Sequence, residues 1–416
     1  MSHDPTSKPS AAFEPEIALP VKPSVAVLPF ANMSGDADQQ YFADGITEDL
    51  IAALSKYHWL HVVAWNSSFA FRSQSVDILR VAKELAAMYV VEGSVRKVGN
   101  RVRVTAQLIN GVSGNHIWAN RYDRELQDIF AIQDEITGTI VGQLEPELGM
   151  LERQRAAQKP TQNLNAWDCY HLGLFQAYTF TKEGNAEAQR LFRRAIELDP
   201  KFAQAHARLA YSMVLEMVYF EADPTPDALE AALRLAQQAV ALDDQDAFCH
   251  MALGRVHIAR RDYSLGMSEC ETSLKLSPHM AIAYCGMGDA LAYAGRLQDS
   301  IPCFEEAIRL SPYEPWRWAF YSYGALALLL LGQYEKAVDW ARKAILVPNC
   351  QCWAYAHLTA ALGYLGRVDE ARSAIAELMK LKPEFSCDYV REHLFYLENS
   401  DQIQTYVEGL RKAGLP

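Results

Sequence analysis

From Ser24 onward, short runs rich in Val, Ile and Leu alternate with longer stretches whose apolar residues recur every three or four positions, and beyond about residue 164 only the longer kind remains. The first pattern predicts strands at "SVAVLPF", "LHVVAW", Tyr89 to Leu108 and "GNHIWANRYD". It places helices at "YFADGITEDLIAALSKY" and "VDILRVAKELAA", with a long closing helix over about Asp128 to Leu148. Such alternation defines an α/β layer structure with a mixed sheet. Between Arg101 and Leu108 the odd positions are polar (Arg101, Arg103, Thr105, Gln107) and the even ones apolar (Val102, Val104, Ala106, Leu108), the period of a half-buried strand. Gly99-Asn100 suits a two-residue turn, which sets Val98 opposite Arg101 and Arg96 opposite Arg103. Two arginines across a ladder repel, so solvent, an acid such as Glu92 or Asp123, or a bound anion must relieve them. Arg96, Lys97, Arg101 and Arg103 are therefore candidates for a strip that receives an anion or an acidic partner, set against a plain solvated strand face.

The second half repeats. Gly254 to Gly288 and Pro278 to Pro312 are both separated by 34 residues, the spacing of a stacked helix pair. Each unit ends on a proline that the second helix cannot continue through. Related units surround these two: "LFRRAIELDP", a longer one through "ALRLAQQAVALDD" with an insertion near "VYFEADPTPD", "YEKAVDWARKAILVP" and "VDEARSAIAELMKLKP". The expected organisation is a Pro-, Ser- and Ala-rich disordered tail over 1–22, an α/β domain over 23–150 and a linker over 151–163. An all-α solenoid of about six repeats follows over 164–385, with polar capping helices over 386–416.

Charge narrows the function. The chain of 416 residues carries 39 Lys plus Arg against 51 Asp plus Glu, a net −12, and both halves are acidic. A broad nucleic-acid or anionic-membrane surface needs the opposite sign, so no direct nucleic-acid binding is expected. No apolar run reaches the length of a signal peptide or a membrane span, which predicts a cytoplasmic protein without membrane insertion. The eight cysteines, all from Cys169 onward, lack paired metal-site spacing and read as small buried hydrophobes.

Candidate chemistry is sparse. The chain has no phosphate-binding G-x-x-x-x-G-K-[ST], no G-x-S-x-G and no H-E-x-x-H. Ser113 in "GVSGN" falls in a strand-to-strand turn, His58 and His61 lack a third ligand, and the acidic pairs Glu48-Asp49 and Asp134-Glu135 sit side by side on helices, where neighbours do not share a face. No catalytic residue, cofactor or metal is expected. "FADGITEDL" is the exception worth keeping: Asp44-Gly45 near a helix start, with Thr47, offer capping groups and N–H donors, so Phe30, Asp44 and Gly45 form a candidate ligand pocket.

These residues carry two resemblances. "SVAVLPFANMSGDADQQYFADGITEDLIAALS", the "EGSVR" and "VRV" elements of the hairpin, "W-x-x-x-YDR" and "QDEI" occur in the order of the TolB-like N-terminal domain of bacterial signalling proteins, over about Val21 to Leu148. That resemblance implies a mixed-sheet α/β fold without known catalytic residues. It also implies a place between an output module, either a class III adenylate/guanylate cyclase or a CadC-type winged helix, and a repeat array. About 22 leading residues are too few for either module, so none is expected here. From about Leu164 to Phe385 the repeats resemble tetratricopeptide (TPR) repeats, whose first helices line an inner groove. Transferred onto this sequence, the family's inward positions are Phe248, Met251, Arg255, Ile282, Cys285, Asp289, Trp318 and Tyr321. The Lys and Asn pairs with which some such arrays clamp a terminal carboxylate are not matched.

The expectation is a non-enzymatic regulatory adaptor that holds a protein partner, a cyclase, kinase or transcriptional regulator, in the TPR groove. One alternative is the control half, or a catalytically lacking relative, of a class III cyclase. Another is a transcriptional regulator lacking its winged helix.

Overall fold

The computed structural model describes residues 23–36, 40–57, 59–72, 77–125, 129–157, 165–220, 222–311 and 316–415. Two compact units divide the chain, residues 1–137 and 138–416. The tail expected over 1–22 lies outside the described residues.

The first unit is built on a mixed sheet. β1 (Ser24–Val27) runs parallel to its neighbours β3 (His61–Val62) and β4 (Tyr89–Val98), and the short β2 (Ala31–Asn32) also pairs with β4 in parallel. β5 (Arg101–Asn110) and β6 (His116–Glu125) extend the sheet antiparallel, giving the order β3-β1-β4-β5-β6. β1 is shorter than its apolar run because Pro29 has no N–H to continue the ladder. α1 (Gln40–Leu54) and α3 (Ile78–Glu84) pack on the sheet, α1 through Phe42, Ile46, Leu50 and Leu54. Asp77 caps α3 by accepting from the Leu79 N–H. A five-residue helix, α2 (Trp65–Phe69), was not foreseen; it takes Trp65 from the expected strand.

The long helix α4 (Ile129–Ala157) passes through Pro146 and continues to Ala157, so the first part of the expected linker is helical. Helix pairs then follow: α5 (Ala166–Ala177) with α6 (Lys182–Leu198), α7 (Ala203–Tyr219) with α8 (Pro226–Leu242), and α9 (Ala247–Ala259) with α10 (Tyr263–Leu276). They continue with α11 (Ala281–Tyr293) and α12 (Leu297–Leu310), α13 (Arg317–Leu330) and α14 (Tyr334–Ile345), and α15 (Cys352–Leu365) and α16 (Val368–Leu381). The ends are α17 (Cys387–His393) and α18 (Ser400–Lys412).

Local chemistry sets these boundaries. Asn165 and Asp168 form a capping box on α5, Thr181 and Thr225 cap α6 and α8, and Asp246 caps α9. Within a pair, a glycine on the first helix admits a large ring from the second. A Cβ on Gly288 would meet the Phe304 ring at 2.8 Å, and one on Gly324 would meet the Trp340 ring at 2.2 Å. All eight cysteine thiols are free, and Cys169, Cys249, Cys270, Cys285 and Cys387 are buried.

Candidate functional site

The hairpin forms in the expected register. Gly99 takes φ +57°, Val98 pairs with Arg101, and Arg96 pairs with Arg103. Relief of the facing arginines comes from the third strand: Asp123 lies opposite Arg103 on β6 and accepts from its Nε at 2.6 Å. That hydrogen bond holds the exposed Asp123 carboxyl below its ordinary range and keeps Arg103 charged. Glu92 instead accepts from Gln107. Arg96 and Arg101 remain exposed, while Lys97 is half-buried with its N–H on Ser34 Oγ at 2.9 Å.

The candidate pocket at Phe30, Asp44 and Gly45 does not assemble. α1 begins at Gln40, so Asp44 and Gly45 sit past its first turn, where backbone N–H groups are taken by the helix ladder. Asp44 accepts from Gln40 Nε2 at 2.9 Å and pairs with Arg72 at 2.5 Å. Gly45 is covered by the Gln133 side chain, 2.7 Å from where a Cβ would stand. Phe30 is 1% exposed, its ring against Gly93, and its N–H donates to Thr47 Oγ1 at 3.0 Å. Three different neighbours occupy the three residues. Thr47 donates back to Ala43 O and caps nothing.

In the repeat array the inward positions lie on α9, α11 and α13, and most are interior. Met251 and Asp289 are fully buried, Trp318 is 1% exposed, and Phe248 and Cys285 are also buried. Ile282 and Tyr321 keep intermediate exposure, as does Arg255. The expected open lining is thus filled by the array's own side chains. Phe180, from the α5–α6 turn, sets its ring edge-on to Trp318 at 5.0 Å and to Tyr219 at 5.2 Å. Tyr219 and Tyr323 share a hydrogen bond between their hydroxyls, and Arg208 lies over the Phe248 ring at 3.5 Å.

At the centre is a buried ion pair, Arg255 to Asp289, between equivalent positions of neighbouring repeats. Burial pushes the Asp289 carboxyl up to about 6 against the pull of Arg255. Burial also opposes the Arg255 charge, but Asp289, Tyr211 and Tyr323 outweigh it and keep the guanidinium ionised. Asp289 Oδ1 and Trp318 Nε1 have no hydrogen-bond partner among the described residues. The interior here mixes this ion pair with packed aromatic rings. Among the described residues no group of three His, Cys, Asp or Glu could hold a metal ion, and no helix is long and apolar enough to cross a membrane.

Sequence reasoning missed the segment after α17. Leu394, Tyr396 and Leu397 are buried, and the Tyr396 ring stands 5.0 Å from that of Tyr293 on α11. Its partner Arg261 carried a signal: it interrupts the glycine found at Gly295, Gly332 and Gly366 in the turns of other repeats, all four at positive φ.

The geometry defines an array of stacked helix pairs that follows a mixed-sheet unit in the chain, and comparison with known proteins supports the repeats. A tetratricopeptide-repeat model matches residues 285–351. The model that matches residues 21–138 is the HilA/YgeH-like transcriptional regulator, second domain. A protein of Rhizobium meliloti named "Putative adenylate cyclase 3" is 46% identical over 59% of this chain and 42% of its own length. The transcriptional regulator HilA of Salmonella typhimurium is 22% identical over 74% of this chain and 54% of its own. The chain thus spans about half the length of these curated relatives. Among solved structures, the APC/C hetero-tetramer Cut9-Hcn1 aligns with a TM-score of 0.47 and 17% identity, over 63% of this chain and 48% of that one.

Proposed function

We propose that this chain is a non-enzymatic regulatory adaptor whose TPR array holds a protein partner, with the N-terminal TolB-like unit as a sensory or docking module. The observation that carries the reading is the array itself, with tetratricopeptide repeats matched over residues 285–351. Ile282 on α11 and Tyr321 on α13 stay partly exposed and offer an apolar and an aromatic contact, of the kinds that protein interfaces use, to such a partner. The hairpin strip adds a second surface: Arg96 and Arg101 stay exposed beside the neutralised Arg103 and suit an acidic segment.

Similarity to a protein named as an adenylate cyclase favours a second reading, in which the partner is a cyclase domain and this chain its control half. Likeness to HilA favours a transcriptional regulator as the alternative partner. Affinity capture with the whole chain and with an Ile282→Asp/Tyr321→Ser variant tests the adaptor reading. Both positions are partly exposed, whereas truncating Trp318 would open the core. A cyclase, kinase or regulator retained by the native chain and lost from the variant supports groove binding. Identical retention by both would move attention to Arg96 and Arg101.

A further inference from the structure

The link between α17 and α18 crosses back over earlier repeats. Leu397 N–H donates to Leu394 O at 2.9 Å, which closes a reverse turn with Phe395 and Tyr396 at its corner. Phe395 packs against the cluster containing Val214, Met217, Leu253 and Val256, while Leu394, Tyr396 and Leu397 join the cluster of the later repeats.

Side chains of the α9–α10 turn hold the main chain of this strap. Arg261 Nε donates to Phe395 O at 2.6 Å, and Tyr263 OH donates to Tyr396 O at 2.7 Å. The same hydroxyl accepts from the Glu398 N–H at 3.1 Å. Consecutive backbone groups gripped by side chains, with flanking rings seated on apolar walls, are the elements of peptide recognition: main-chain bonds hold, and the walls select.

A second, independent observation is the backbone at Arg261. Its φ is +67°, where the equivalent turns carry Gly295, Gly332 and Gly366 at +82°, +74° and +65°. An L side chain is strained in that region. The contact that offsets the strain is the bond to the strap. Beneath the strap, the Tyr396 ring stands 5.0 Å from that of Tyr293 at the end of α11.

We propose that the α9–α10 turn and the end of α11 form a turn-recognition site that the strap Leu394–Asn399 occupies in cis. Its trans ligand is a protein segment presenting a reverse turn with two adjacent aromatic residues between aliphatic ones, which displaces the strap. The proposal rests on the adaptor reading and names the chemistry of its partner.

The test uses the full chain and a fluorescein-labelled peptide of sequence HLFYLENS, read by anisotropy. Phe395→Ala/Tyr396→Ala, which loosens the strap, should bind the peptide about tenfold more tightly than the native chain, and adding Arg261→Gly should reverse most of that gain. A folded variant with no gain, or a gain that tracks formation of a strap-exchanged dimer, overturns the proposal. Should the double variant not fold, Arg261→Gly alone decides, because glycine suits that φ. Exchange at the Leu397 and Glu398 amides should then rise about tenfold with α18 protection kept, and unchanged exchange overturns the proposal. Peptide binding with no partner captured from cells would sink the adaptor reading alone.

Discussion

Arg255 and Asp289 occupy equivalent places in successive repeats, and their pairing joins α9 to α11 through charge inside the stack. Removing one partner leaves the other buried and uncompensated, the costly half of a buried pair. Arg255→Met should therefore lower the array's stability by about 3–5 kcal/mol in urea, while Arg255→Met/Asp289→Leu recovers most of the loss. The pH dependence has a definite sign. The Asp289 carboxyl, raised to about 6 when folded from an ordinary 3.8, binds more protons in the folded than in the unfolded chain between those values. Its contribution is full at acid pH and is lost as pH rises through about 6. Without Arg255 the carboxyl titrates higher still, so the single variant should come nearest the native chain at pH 5 and fall furthest behind at pH 8. A constant difference across that range would show that the pair is not coupled by charge.

At the scale of elements, glycine contacts decide how closely helices meet. A Cβ on Gly363 of α15 would stand 2.0 Å from Gly409 O and 2.8 Å from Ala413 N, backbone atoms of the terminal helix region that cannot rotate away. Gly363→Ala should push α18 off α15 at a cost of about 1–3 kcal/mol, seen as faster hydrogen exchange in α18 with α5 to α8 unchanged. The helix pairs, their proline ends and the hairpin register were legible because each follows a local period, and a one-residue slip at Arg96 and Arg103 would bury the charges. The burial of Trp318 was not legible: periodicity gives a helix face but not that Phe180, from the first pair, packs against the fifth. Asp44-Gly45 misled because the pair looks like a cap, yet the helix had already started at Gln40. Arg261 was legible and overlooked, since aligning the turns sets it against three glycines.

For the molecule as a whole, the question is whether the acidic side chains are spent on structure or remain free for chemistry. Asp168 and Asp246 cap helices, with Asp246 also accepting from Gln204 at 2.6 Å, and Asp289 is committed to Arg255. Asp123 neutralises Arg103, and Asp49 accepts from Gln133. Cyclisation of a nucleoside triphosphate requires charge to be stabilised at the transferring phosphorus, by metal ions or by converging cations. Arg96, Arg101 and Arg103 instead share one face of the β4–β5 hairpin, with Lys97 on the other and Arg103 already tied to an acid. On the adaptor reading, the purified chain should form no cyclic AMP or GMP from ATP or GTP with either Mg²⁺ or Mn²⁺, while a captured cyclase partner should change its rate when this chain is added. Turnover by the chain alone would overturn the adaptor reading. If a partner's rate does change, the Ile282→Asp/Tyr321→Ser variant should abolish the effect and leave the partner's own basal rate untouched, because the groove acts by holding the enzyme and takes no part in its chemistry.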